Sequence, residues 1–105
     1  MAIRVNQDSF KTEVLEADRM TLVDFYSDSC VPCKRLSPVL AGLEEQYGDK
    51  VKFAKININF DATLAEQYEV QSVPTIIFFK NGEAVFRLNG SLKKNEIADN
   101  IENLK

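Results

Sequence analysis

The chain of 105 residues contains no histidine, no tryptophan and only two cysteines. Without histidine it lacks the commonest general base, the commonest zinc ligand and every catalytic triad built on imidazole. It also lacks a basic excess. Thirteen lysines and arginines stand against sixteen acidic residues, a net charge of −3, so no cationic surface is on offer for nucleic acid or anionic lipid. No apolar run approaches the length that spans a bilayer, and "MAIRVNQDSFKTEVLEADRM" has no apolar core of a secretory signal. Repeats, low-complexity tracts and Gly/Ser-rich linkers are missing as well. The expectation is a cytoplasmic chain with one domain over residues 1–105, whose partners are proteins or small molecules.

What is present is a well-punctuated α/β pattern. "AIRV" reads as a short strand, and "DSFKTEVLE" as a helix with Asp8 or Ser9 as N-cap and Phe10 and Val14 on one face. "MTLVDFY" is nearly continuous apolar sequence, as in a central strand covered on both sides, with Asp24 the exception. From Pro32 to Tyr47, Leu36, Val39, Leu40, Leu43 and Tyr47 recur at helical intervals, with Pro38 inside to kink the helix. "VKFAKINI" is a second inner strand and "DATLAEQY" a short helix capped by Asp61. "TIIFFK", Asn81-Gly82 and "EAVFRL" spell a hairpin, and Ile97, Ile101 and Leu104 stripe a closing helix. Helices then cover both faces of a mixed sheet, whose reactive end lies beyond the carboxyl ends of its parallel strands. Cys30 and Cys33 follow such a strand end.

Three readings of that pair compete. As a staple it is poor, because closing a loop of about four residues removes only about 2 kcal/mol of chain entropy, and structural cystines are unusual in a reducing cytosol. As a metal clip it lacks partners, since one chain supplies only the two thiols and carboxylates. The redox reading follows from position. Cys30 precedes the first turn of a long helix, where unpaired N–H groups and the helix dipole favour a thiolate, and Lys34 adds a positive charge. Cys33, one turn further in, is within reach of a mixed disulfide on Cys30, and Pro32 is tolerated in a first turn.

Over essentially its whole length the chain resembles the thioredoxin family: "VDFY", "CVPCKRLSPVL", "KFAKINI", "VPTIIFFKNGE" and "NG" before the last helix appear in family order. The resemblance implies the thioredoxin fold, a central mixed sheet of about five strands flanked by four helices on both faces. It implies Cys30 as nucleophile, Cys33 as resolving cysteine, Asp24 as the buried group in proton transfer and Lys55 as its partner. Pro74 matches the family's cis proline, with Val73 and Gly90 beside the substrate groove. Read from the residues alone, Asp24 fits a structural ion pair or an exposed edge position better, and Pro74 would be trans.

Ser29 and Val31 depart from the family's common W-C-G-P-C, and Tyr26 stands where another tryptophan is common. Ser29 forms no aromatic lid, and Val31 is stiff at χ1, so together with Pro32 and Lys34 these residues tune the motif. C-V-P-C without tryptophan resembles specialised thioredoxins of amino-acid-fermenting anaerobes. The implied function is that of a protein-disulfide reductant and electron carrier with no bound cofactor and no metal, working as a monomer. Its implied partners are disulfide-containing proteins and a thioredoxin reductase dependent on NADPH and flavin. Two alternatives remain: a disulfide isomerase or oxidase, although strongly oxidising relatives commonly place histidine where Val31-Pro32 stands, and a binding or assembly module with incidental cysteines.

Overall fold

A computed structural model describes residues 2–90 and 93–105. Among the described residues, five strands form one mixed sheet in the order β1-β3-β2-β4-β5. β1 (Ile3–Arg4) and β2 (Thr21–Tyr26) both run parallel to β3 (Lys52–Asn57), whereas β4 (Thr75–Lys80) is antiparallel to β2 and to β5 (Glu83–Asn89). The expected hairpin is present, and its turn has the positive φ angles that Asn-Gly accepts, 54° at Asn81 and 81° at Gly82.

Alternation along β2 divides the core into two layers. Leu22 faces α1 (Val31–Tyr47) and α3 (Lys94–Leu104), where it joins Leu36, Leu40, Leu43, Phe78, Ile97 and Ile101. Val23 and Phe25 face the other way, toward Phe10, Val14 and Leu64 from the first helical segment and α2 (Ala62–Gln67). With both faces covered, β2 is buried over Thr21–Phe25, which is why it carries a continuous apolar run. Asp24 shares the face of Leu22. β5 and the two-residue β1 are the exposed edges.

Two capping expectations are corrected. The first helical segment is a π-helix at Lys11–Leu15 whose N-cap is Phe10, without a side-chain cap. Asn6 and Ser9 instead bond to each other one turn earlier: the Asn6 N–H donates to Ser9 Oγ at 3.1 Å and the Ser9 N–H to Asn6 Oδ1 at 2.9 Å. Asp61 stands at the N-cap of α2 but makes no cap bond, because its Oδ1 accepts from the Gln7 N–H at 3.0 Å. In both places a polar side chain joins a neighbouring loop rather than its own helix.

Candidate active site

β2 delivers the chain at Tyr26 to a tight turn, in which the Cys30 N–H reaches the Ser27 carbonyl at 3.4 Å. Cys30 is then the N-cap of α1, in extended conformation (φ −88°, ψ 109°), and its Sγ accepts the Cys33 N–H at 3.1 Å. A sulfur thus fills the place usually taken by a Ser or Asp oxygen. Cys30 and Cys33 are joined as a disulfide with Cα atoms 5.2 Å apart, a separation ordinary for cystine. Both are buried, at 8% and 5% exposure, with Cys30 the more open. Pro32 lies in the first turn of α1, where no N–H is needed. Ser29 and Lys34 are exposed, and Val31 is 55% exposed, so the valine packs on little.

Against Cys33 lies a pocket of about 180 Å³ that is also lined by Asp24, Tyr26, Asp28, Lys34 and Lys55 among others. Parallel pairing of β2 with β3 sets Asp24 beside Lys55 in register. Asp24 is 7% exposed, and among the described residues its Oδ1 has no hydrogen-bond partner. Burial pushes its carboxyl up from 3.8 to about 7, while the charge of Lys55 pulls in the opposite direction. Desolvation wins, so this group changes protonation near neutral pH.

The residues that the resemblance sets beside a substrate groove form a second group. The Val73-Pro74 peptide bond is cis, as the resemblance implied and the sequence alone did not. Thr75 pairs with Phe25, so Pro74 lies one residue beyond the last pair, at the sheet end from which the Cys30 turn departs. Gly90, at φ 85°, donates its N–H to the Pro74 carbonyl at 3.1 Å, and a Cβ there would meet nothing within 4 Å among the described residues. Val73 is half-buried. Asp24, Cys33, Lys34 and Lys55 therefore share one pocket, Pro74 and Gly90 share a hydrogen bond, and the Ser29 and Val31 side chains are exposed.

Sequence reading missed Asp28, Asn57 and Asn59. The Asp28 N–H donates to Asn59 Oδ1 at 3.2 Å, and Asp28 Oδ1 accepts from Asn57 Nδ2 at 3.0 Å. A signal was available in the two asparagines flanking Ile58 at a strand end, but it reads as ordinary turn chemistry.

A cysteine pair at a helix N-terminus, with a buried carboxyl lining the pocket against Cys33 and a cis proline at the same end of the sheet, defines a thiol–disulfide oxidoreductase. The thioredoxin family model matches residues 1–103. The chain is 41% identical over 99 residues to the thioredoxin of Rickettsia felis, covering 94% of each chain. It is 36% identical over 102 residues to thioredoxin 1 of Synechococcus elongatus, covering 97% of this chain and 95% of the relative. A third relative, the thioredoxin of Chlorobaculum thiosulfatiphilum, is 39% identical over 94 residues, 90% of this chain and 87% of its own. The chain belongs to the thioredoxin family, with the family's disulfide reductase function, and Cys30–Cys33 fits its C-x-x-C active site.

Proposed function

We propose that Cys30 and Cys33 divide the reduction of protein disulfides between attack and resolution. The observation that supports this most is the Cys33 N–H donated to Cys30 Sγ at the helix N-cap, at 3.1 Å. That donor, the helix dipole and the charge of Lys34 all favour a thiolate at Cys30. The Cys30 thiolate attacks one sulfur of the substrate disulfide, forms a mixed disulfide and expels the other substrate sulfur as a thiolate. Cys33 then attacks the Cys30 sulfur, breaks the mixed disulfide and releases the second substrate thiolate. Two electrons have passed from the dithiol to the substrate, leaving Cys30–Cys33 oxidised.

Asp24 accepts the Cys33 proton as that thiol becomes a nucleophile, a task suited to a carboxyl titrating at about 7. Lys55 moderates its basicity. Val73 and Pro74 offer main-chain groups to an extended substrate segment, with Gly90 leaving room for it. Ser29, Val31, Pro32 and Lys34 tune the pair. An external reductase, dependent on NADPH and flavin, returns the electrons, so no bound cofactor enters the cycle. The chain acts as a single domain and a monomer in the cytoplasm.

Cys33→Ser, mixed with an oxidised protein substrate, is expected to accumulate a covalent adduct through Cys30. Free Cys30 without any adduct would sink the assigned roles. The reduction potential of the native pair is expected near roughly −270 mV, and a value between about −180 and −120 mV would place the chain with isomerases or oxidases.

A further inference from the structure

The turn that presents Cys30 has little to hold it from within. Tyr26 ends β2 and Cys30 caps α1, and the bond across the turn, from the Cys30 N–H to Ser27 O, is long at 3.4 Å. The Ser29 side chain is exposed and supplies no packing. The restraint comes from the end of β3, 29 and 31 residues further along the chain.

Three side chains close a ring there. The Asp28 N–H donates to Asn59 Oδ1 at 3.2 Å, the Asn59 N–H donates to Asn57 Oδ1 at 2.9 Å, and Asn57 Nδ2 donates to Asp28 Oδ1 at 3.0 Å. Asn57 is 6% exposed and closes the register of β3 opposite Tyr26, and the Ile58 N–H continues the pairing onto the Tyr26 carbonyl at 2.9 Å. The ring is therefore anchored in the sheet on one side and grips the middle of the turn on the other. A buried amide with donor and acceptor both used is strongly oriented, because rotating it leaves unpaired groups.

We propose that Asn57 and Asn59 are positioning residues for Cys30: by clamping Asp28 they keep the Cys30 sulfur at the α1 N-cap, in line with the Cys33 N–H. This rests on the reading of Cys30 as the attacking nucleophile. The clamp matters most in the reduced protein, where the disulfide no longer ties Cys30 to the helix. A charged sulfur gains more from that N–H than a neutral one, so a loosened turn lowers the thiolate population and with it the rate of attack.

The test is the rate of Cys30 alkylation by iodoacetamide in the reduced protein at pH 7, with the modified cysteine located by mass mapping. Salt of about 0.5 M screens the charge differences between variants. Asn59→Leu, at an exposed position, removes the acceptor and is expected to slow alkylation about three- to tenfold. Asn59→Asp keeps an acceptor oxygen and is expected within about twofold of the native rate. Asp28→Ala breaks the link to Asn57 and is expected to slow the reaction about two- to fivefold. A native rate in both Asn59→Leu and Asp28→Ala, or an Asn59→Asp variant as slow as Asn59→Leu, overturns the proposal. Alkylation of the native protein at Cys33 instead of Cys30 is a different failure, which removes the nucleophile assignment and the proposal together.

Discussion

The Asn81–Gly82 turn and the Cys30 turn lie at opposite ends of the same sheet, since β4 runs antiparallel to β2. The first is made by its own residues. Asn81 and Gly82 are exposed, and both take the positive φ angles that a two-residue hairpin requires. The second is made by distant ones: Asp24, Asp28, Cys33, Lys55 and the two asparagines come from different segments, and a carboxyl is buried with one oxygen unpaired among the described residues. The hairpin end obeys local rules and supports stability. The cysteine end violates them, and the cost of that buried carboxyl falls where the proposed mechanism uses a proton acceptor.

Asp24→Asn sharpens the comparison most. Asp24 holds its proton more tightly when folded, so its contribution to stability is fully present below its ordinary 3.8 and is lost as pH rises through about 7. The ionised group therefore destabilises the native state at alkaline pH. The variant is expected to be more stable than the parent by about 2 to 4 kcal/mol at pH 8.5, with the gap closing toward pH 4, in denaturant titrations of the oxidised protein. It should also reduce protein disulfides roughly tenfold to a hundredfold more slowly at pH 7, through slower resolution of the mixed disulfide. An equal gap at both pH values would show that Asp24 is an ordinary polar residue, no different in kind from those at the hairpin end.

Gly82→Ala probes the other end. At φ 81°, with the Leu15 carbonyl oxygen 3.3 Å from the added Cβ, alanine is strained. A loss of about 1 to 2 kcal/mol is expected with disulfide reduction unchanged. A change in reductase activity at equal folded fraction would break the separation of the two ends.

Val31→Gly has the smallest expected effect. Because Val31 is 55% exposed, its influence comes through the backbone rather than through packing. Replacing a stiff residue by glycine loosens the reduced motif by about 0.4 to 1 kcal/mol, which makes ring closure harder and moves the potential less negative by about 10 to 20 mV. A shift in the opposite direction, read in a thiol–disulfide buffer, would show that the side chain acts on the sulfurs directly.

The sequence alone determined the order of elements, the hairpin and the two-layered core, because these follow from apolar periodicity and from turn residues that act over a few positions. It also placed Cys30 at a helix start, and resemblance supplied the rest of the residue set, including the cis bond before Pro74. Local rules failed at Ser9 and Asp61, whose side-chain oxygens accept from the Asn6 and Gln7 N–H groups instead of forming the expected helix caps. The resemblance already implied a buried Asp24, but only the tertiary structure decided that one of its oxygens is unpaired among the described residues, since its partners depend on the elements packed over that face of the sheet. Only it joined Asn57 and Asn59 to Asp28, because hydrogen bonds between segments some thirty residues apart leave no periodic trace in a sequence.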